Sequence, residues 1–529
     1  MTKRSKYKSH NLAISSLRRI LTQNQMSLQK RIQELTLKYE HLAVEWLKEA
    51  VRIPMDTIKQ NPLAGQSNGE LERLQYLKSE IIKHKCVSKP EDVFIDGAGN
   101  LVWLAEDYSD KSEDKKVIYF DGHSDTVAPL PDKWAKIGGL DVWQGLLDPK
   151  KIDREQLKQN LGWVPKESEY ENCIWGRGTA DQLAGVISQM MATKVCIELI
   201  PEGGLKNVKI VSVATIQEED NDGCGPLYYF KDQVIKNKKM PVPDLIVITE
   251  GTGDSTRSGL GIYRAQRGRM QIEVEVRGVS CHGSMPHMGK NPLEFGAKII
   301  CQATEQVQKG EGILNHEFLG KGTRTASWCH LDTPSDCAVP ERFVFRFDRR
   351  MTVGETAEMC INSIKSLPAI QETIAAGLHV DVRAPKYEGA THTGWKPMNE
   401  QVYLGWETPA DHVAVQAAMD AYSQTVGEAL TQTDIDQMDG YIKKEPFLGR
   451  WIFSTDGVGI PIRNEEFEDA PSKKWIHLES GFKYPAMLGL GAGTEQNTHR
   501  IGECIHKVEL KFACMWMARL VNRFAELSK

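Results

Sequence analysis

Apolar residues recur at helical spacing over 28–51, where Ile32, Leu35, Tyr39, Leu42, Val44 and Leu47 mark one face and Pro54 follows the segment. Beyond it, short apolar runs alternate with helical stretches. The runs 117–120, 208–215 and 245–249 read as core strands, and 184–197 has helical spacing between strand candidates. That alternation predicts an α/β domain with a mostly parallel sheet covered on both faces. Over 263–385 the order changes to strand, helix, strand, strand, helix, strand, with helices near 292–307 and 355–366, which is a ferredoxin-like α+β arrangement. The chain then returns through a helix at about 412–426, a strand at 453–455 and a closing helix over 508–524. The stretches 128–173 and 432–449 show no clear period and read as loops or excursions. The expected organisation is an extension at 1–27, a large domain in two parts at 28–262 and 396–529, and a second domain inserted at 263–395.

Composition narrows the class without changing this outline. A chain of 529 residues is long enough for two cores. With 40% hydrophobic and 26% charged residues it falls in the ordinary globular range, so disordered and fibrous classes drop out. A formal net charge of -5 offers no global positive field, which argues against nucleic acid as a partner. The eleven cysteines form no C-x-x-C pair, so neither a structural zinc cluster nor a disulfide framework is expected, and a reducing, cytoplasmic setting fits. No apolar run has the length of a membrane span, so no membrane partner is expected. The first residues differ from the rest. Lys3, Arg4, Lys6, Lys8, Arg18 and Arg19 precede the first acid, Glu34, with serines between them and apolar residues at helical spacing. This composition suits a transit peptide to an organelle matrix; a solvated basic extension, or a start at Met26, are the alternatives.

Five motifs carry candidate chemistry, most of them where strands end, which is where open α/β sheets place ligands. In Tyr119-Phe-Asp-Gly-His-Ser-Asp-Thr-Val127 a strand delivers His123, and Asp125 two residues later points the same way, able to accept the second ring N–H of a metal-bound imidazole. Asp181 ends the Gly-rich approach Gly176-Arg-Gly-Thr-Ala-Asp181 ahead of a helix, where a carboxylate is more often a cap. Gln217-Glu218-Glu219-Asp220 is an acidic run of the kind usually found in solvated loops, yet beside metals one glutamate could ligate while its neighbour moves protons. Glu250 ends an apolar strand, where an acid seldom lies unpartnered. Far along the chain, Gly491-Ala-Gly-Thr-Glu-Gln-Asn-Thr-His499-Arg-Ile-Gly-Glu503 supplies His499. Each signal is weak alone. Together, two histidines and three carboxylates form the ligand set of a co-catalytic pair of divalent ions with one carboxylate bridging.

In this order the motifs resemble the metallopeptidase superfamily of acetylornithine deacetylase, succinyl-diaminopimelate desuccinylase, aminoacylase and carnosine dipeptidase, over about residue 28 to the C-terminus. The phrases Gln266-Arg-Gly-Arg269, Gly278-Val-Ser-Cys-His-Gly-Ser284, Asp348-Arg-Arg350 and Phe453-Ser-Thr-Asp-Gly457 are most similar to bacterial hydrolases associated with selenium metabolism. The resemblance implies a two-part catalytic domain and an inserted lid or dimerisation domain. It implies that His123 and Glu250 bind one metal and Glu219 and His499 the other, with Asp181 bridging and Asp125 orienting His123. Glu218 would be the general base, His282 a lid histidine that steadies the oxyanion, often across a dimer, and Arg350 the binder of a substrate carboxylate. The metals would be zinc, with cobalt or manganese as alternatives. The substrate would be a small N-acyl amino acid or dipeptide-like molecule cleaved at its amide bond, and the assembly a homodimer. Relatives also place a non-proline cis peptide after the bridging aspartate.

The chain departs from the family at Gln182, where an acid or asparagine is usual and little effect on the metal site is expected, and in the long interval from His123 to Asp181. The competing readings are a catalytically silent binding member, which would lack a ligand or the base, and a carbamoyl-cleaving enzyme, which would carry histidine at the position of Glu250. A dinucleotide-dependent enzyme is excluded by the lack of G-x-G-x-x-G after an early strand.

Overall fold

The computed structural model describes residues 3–55, 69–254, 259–438, 442–461 and 485–528. Its centre is a ten-stranded sheet. The apolar strands Lys116–His123, Val208–Thr215, Leu245–Ile248 and Ala486–Gly489 lie side by side in parallel, in the order 208, 116, 245, 486 by first residue. Every residue of Leu245–Ile248 and of Ala486–Gly489 is buried, because helices cover both faces. Ala184–Glu198 and Lys507–Leu527 pack together there, with Val413–Ala429 and the first helix against the latter. Antiparallel strands, Val93–Ile95 and Leu101–Glu106 at one end and Gly259–Gln266 with Trp406–Glu407 at the other, extend the sheet, and Phe447–Trp451 (parallel) and Gly253–Asp254 (antiparallel) pair with Gly259–Gln266 to complete it. The α/β class expected from the alternation is therefore the observed one.

A second, antiparallel sheet is built from Thr323–Asp332, Arg342–Met351, Gly268–Arg277 and His379–Arg383, with Val402–Tyr403 beside Gly268–Arg277. Its strands alternate. Phe343, Phe345, Phe347, Ile272 and Val274 face Ile299 and Ile364 of the helices Pro292–Gln308 and Ala357–Lys365, while Arg342, Arg346 and Arg383 pair with Glu273 and Glu275 on the other face. Asn291 and Thr356 cap the two helices.

Three expectations are corrected. The first helix runs over Lys3–Arg52 instead of beginning near 28; the side chains of 3–27 lie outside the described residues. The stretch 128–173 is a small unit with helices Pro131–Ile137 and Arg154–Asn160 around Trp134, Leu140, Leu157 and Tyr170. Its core closes only when Ile501 and Cys504 arrive from far along the chain, so no local period marks it. The strand expected at 453–455 lies at Phe447–Trp451, and Thr455 caps the turn Asp456–Gly459; a helix, Gln432–Gln437, precedes it within the supposed loop. Among the described residues no helix is long and apolar enough to cross a membrane.

Candidate active site

The carboxyl edge of the parallel strands collects most of the candidate residues. His123 is the last residue of Lys116–His123, Glu218 and Glu219 open the turn Glu218–Asn221 after Val208–Thr215, and Glu250 follows Leu245–Ile248. Asp181 precedes the Ala184–Glu198 helix, and His499 occupies a left-handed backbone position (φ 61°) in the loop after Ala486–Gly489. The Asp181–Gln182 peptide is cis.

Asp181 stands between the two imidazoles. Its Oδ1 is 2.9 Å from His123 Nε2 and its Oδ2 2.9 Å from His499 Nε2. Glu250 Oε2 lies 3.6 Å from His123 Nε2, and Glu219 Oε2 3.0 Å from His499 Nε2. Three overlapping groups result, His123–Asp181–Glu250, Asp181–Glu219–His499 and His123–Glu218–Glu219, each with ligand atoms within 4.8 Å of one another. Glu218 Oε2 lies 3.9 Å from His123 Nε2, and the carboxylate has no hydrogen-bond partner among the described residues.

The supporting bonds fix these side chains. His123 Nδ1 is 3.0 Å from the Asp125 carbonyl oxygen, which can only accept. A proton therefore sits on Nδ1, which leaves Nε2 as the nitrogen that faces the carboxylates and the one that a cation could take up. The Asp125 carboxylate is 3.4 Å from Nδ1 and accepts the backbone N–H groups of Glu218 (3.1 Å) and Glu219 (3.0 Å), so it ties the first motif to the third. Gln182, expected to matter little, donates from Nε2 to Glu250 Oε2 at 2.7 Å and sets that carboxylate's orientation. Glu503 had no assigned role. Its buried Oε1 accepts the N–H groups of Gly178, Ala180 and Asp181, and its Oε2 accepts from Arg177 Nη1 at 2.6 Å. The sequence signal was its place four residues after His499.

The ionisation pattern is that of a site short of positive charge. Burial, reinforced by the charge of Asp181, pushes Glu219 up to about 7 and Glu250 up to about 6. Burial and the neighbouring Glu219 raise Glu218 as well, against the opposing pull of His123. Burial disfavours charge on His499, but its hydrogen bonds to Asp181 and Glu219 outweigh that and raise it to about 11. His123 is likewise raised: burial opposes charging, and bonds to Asp125, Asp181 and Glu250 prevail. Asp181 is held low because the two imidazoles overcome its burial. Without cations, protons on imidazoles and carboxyls balance the cluster.

Two candidates lie outside this group. His282 is exposed on the two-residue strand Cys281–His282, where its Nδ1 meets Ser284 Oγ at 2.7 Å, and it forms no ion pair with the buried acids. Arg350 Nε donates to Asp348 Oδ1 and Nη1 to Ser454 Oγ, both at 2.8 Å. Ser454 Oγ in turn donates to Asp222 Oδ1 at 2.6 Å, in the segment that carries Glu218.

An imidazole and carboxylate cluster on the carboxyl edge of an α/β sheet, with a second antiparallel sheet joined to it, has the donors to hold divalent cations, and the comparisons support a hydrolase. Residues 264–369 match the M20 family model described as "Peptidase dimerisation domain". The chain is 29% identical over 436 residues to the uncharacterized Escherichia coli (strain K12) protein YgeY, covering 82% of this chain and 87% of that one. It is 24% identical over 245 residues to the succinyl-diaminopimelate desuccinylase of Polynucleobacter necessarius, covering 46% of this chain and 54% of that enzyme. In fold it is similar to an M20 metallo-carboxypeptidase, Sso-CP2, from Sulfolobus solfataricus, with a TM-score of 0.58 at 14% identity, over 92% of this chain and 99% of that one. These comparisons support a relationship between this chain and the M20 metallopeptidases.

Proposed function

We propose that the protein hydrolyses the amide bond of a small N-acyl amino acid or dipeptide-like substrate that bears a carboxylate, using two divalent cations. The observation that carries this reading is Asp181, whose two oxygens each meet a different imidazole at 2.9 Å. The donor set suits the ions: four buried or nearly buried carboxylates face two imidazoles, a surplus of negative charge that cations relieve. His123 and Glu250 would hold one ion and Glu219 and His499 the other, with Asp181 shared; zinc fits these nitrogen and oxygen donors, as do cobalt and manganese. When bound, the ions supply Lewis acidity toward water and the substrate carbonyl.

The residues divide the remaining work. Glu218, whose carboxylate lies 3.9 Å from His123 Nε2, takes a proton from the attacking water and hands it to the leaving nitrogen as the C–N bond breaks and the new C–O bond forms. Asp125 positions both His123 and the Glu218–Glu219 backbone. Arg350, with Nη2 left over after its bonds to Asp348 and Ser454, receives the substrate carboxylate. His282 steadies the developing oxyanion in the site of a second copy, a reading supported by its exposure and by the dimerisation segment at 264–369. On this reading 28–262 and 396–529 form the catalytic domain, 263–395 the lid, and 1–27 an extension of it, and the protein acts in the cytoplasm or, if the extension is a targeting segment, in an organelle matrix. Elemental analysis after dialysis tests the metal content: two ions per chain are expected, and none under added zinc or manganese would overturn the reading. A hydrolysis screen of the metal-loaded protein against N-acyl amino acids and dipeptides, followed by mass spectrometry, then identifies the substrate.

A further inference from the structure

The chain passes from the large sheet into the second sheet through one residue and returns through 404–405, between Val402–Tyr403 and Trp406–Glu407. Gly259–Gln266 belongs to the first, Gly268–Arg277 to the second, and Arg267 lies between them. Its guanidinium donates through Nε (3.2 Å) and Nη2 (2.8 Å) to the carbonyl of Leu319, in the hairpin whose strands are Asn315–His316 and Gly320–Lys321. A second guanidinium, that of Arg450, approaches from the large-sheet strand Phe447–Trp451. Gly320 has φ +72°, and the point where a side chain there would begin is 3.4 Å from Arg267 Nη2 and 4.0 Å from Arg450 Nη2. Two guanidinium groups thus face Gly320 on the side where it carries no Cβ.

Their neighbours are matched and they are not. Arg264 pairs with Glu407 at 2.6 Å, His316 Nε2 lies 3.2 Å from the same carboxylate, and Arg349 is bonded to Glu355. Arg267 bonds only a carbonyl, and Arg450 touches the Phe318 ring at 5.6 Å from its centroid; neither forms an ion pair among the described residues. The Nε of Arg450 is buried without a hydrogen-bond partner. Burial, and then the charges of Arg450 and Arg349, hold the guanidinium of Arg267 below its ordinary range, the response of a cation crowded by others.

We propose that Arg267, Arg450 and the Gly320 turn form a binding site for a tetrahedral oxyanion, a phosphate group, at the joint between the two sheets. Planar guanidinium forks match phosphate oxygens in pairs, and a residue without a Cβ lets such a group come close to backbone. The anion would be held simultaneously by the joint residue and by the large sheet, against a hairpin of the second unit. Its occupancy would therefore fix the angle between the sheets. The site shares no residue with the metal cluster and does not depend on the reading of that cluster.

Calorimetric titration of the metal-loaded protein with inorganic phosphate, and separately with glycerol phosphate, at constant ionic strength tests the assignment. A saturable site is expected that Arg450→Gln weakens about tenfold or more, while Arg450→Lys, which keeps the charge, loses less. Tighter binding of inorganic phosphate marks a free ion as the ligand, and tighter binding of the ester marks a phosphorylated metabolite. Absence of saturable binding by the parent protein, or binding that Arg450→Gln and Arg267→Gln both leave unchanged, would overturn the proposal; the latter is also what phosphate bound only at the metal centre would give.

Discussion

Replacing Glu503 by glutamine should weaken the metal site although Glu503 is not among its ligands. One oxygen of this fully buried carboxylate accepts three backbone N–H groups, from Gly178, Ala180 and Asp181, and the other accepts from Arg177, whose side chain is 1% exposed. Glutamine keeps one accepting oxygen but turns an N–H₂ group toward one of those donors and leaves the Arg177 charge without a counter-ion. Breaking a buried pair in this way costs about 3 to 5 kcal/mol. Only part of that appears as metal affinity, because the Asp181 N–H is one of four donors involved; a support of this kind is worth about 10- to 100-fold in metal binding. The expected outcome is thus a Kd for zinc raised about 10- to 100-fold, read by competition with a chromogenic chelator, with a lower thermal midpoint for the metal-free protein. The double change Arg177→Met with Glu503→Gln should recover part of the midpoint, since the orphaned charge is gone, but not all of it. An unchanged zinc affinity in Glu503→Gln would refute the argument that this carboxylate holds Asp181 in place.

Glu218→Gln should keep both metals and lose about 10²- to 10⁴-fold in turnover, whereas Glu219→Gln should lose metal; swapped phenotypes in paired metal analysis and rate assays would move the base by one residue. Mixing inactive Glu218→Gln chains with inactive His282→Ala chains should restore activity, because a heterodimer then contains one intact site; no recovery after subunit exchange would confine His282 to its own chain. The stabilisation that zinc confers should grow from about pH 5 to about pH 8. The raised folded-state values of Glu219, about 7, and Glu250, about 6, mean that the metal-free fold is helped by their protonation at low pH and loses that help as pH rises through those values, while cations replace the protons. A zinc-induced shift in thermal midpoint that stays constant over this range would contradict the charge balance described for the cluster.

How far the sequence could be read depended on the range of the interactions. Strands buried on both faces announce themselves by composition, so 208–215 and 245–249 could be placed, and with them the positions of Glu218 and Glu250 at strand ends. The second sheet showed in its alternation. The 128–173 unit did not, because its core borrows Ile501 and Cys504, and its Trp163 backbone is pinned from both sides by Asn497 at 2.9 and 2.8 Å, in the loop that carries His499. Glu503 and Gln182 were missed for the same reason. Their partners, Arg177 with the 178–181 backbone and Glu250, are 326 and 68 positions away for the closest side-chain bonds, and nothing local distinguishes a supporting carboxylate or amide from a solvated one.

The position of Ala486–Gly489 bears on the order in which the molecule assembles. This strand sits between Leu245–Ile248 and Gly259–Gln266, yet it is made after the whole of the second sheet. Until it emerges from the ribosome, the wholly apolar Leu245–Ile248 strand has an open edge, a template for pairing with other chains. The second sheet, whose strands fall within 268–403, needs nothing synthesised later and can form first. The large sheet must wait for a closure of high contact order, which is slow. During that wait the nascent protein is most exposed to aggregation and most in need of a chaperone, and a cation offered then would meet only part of the proposed ligand set.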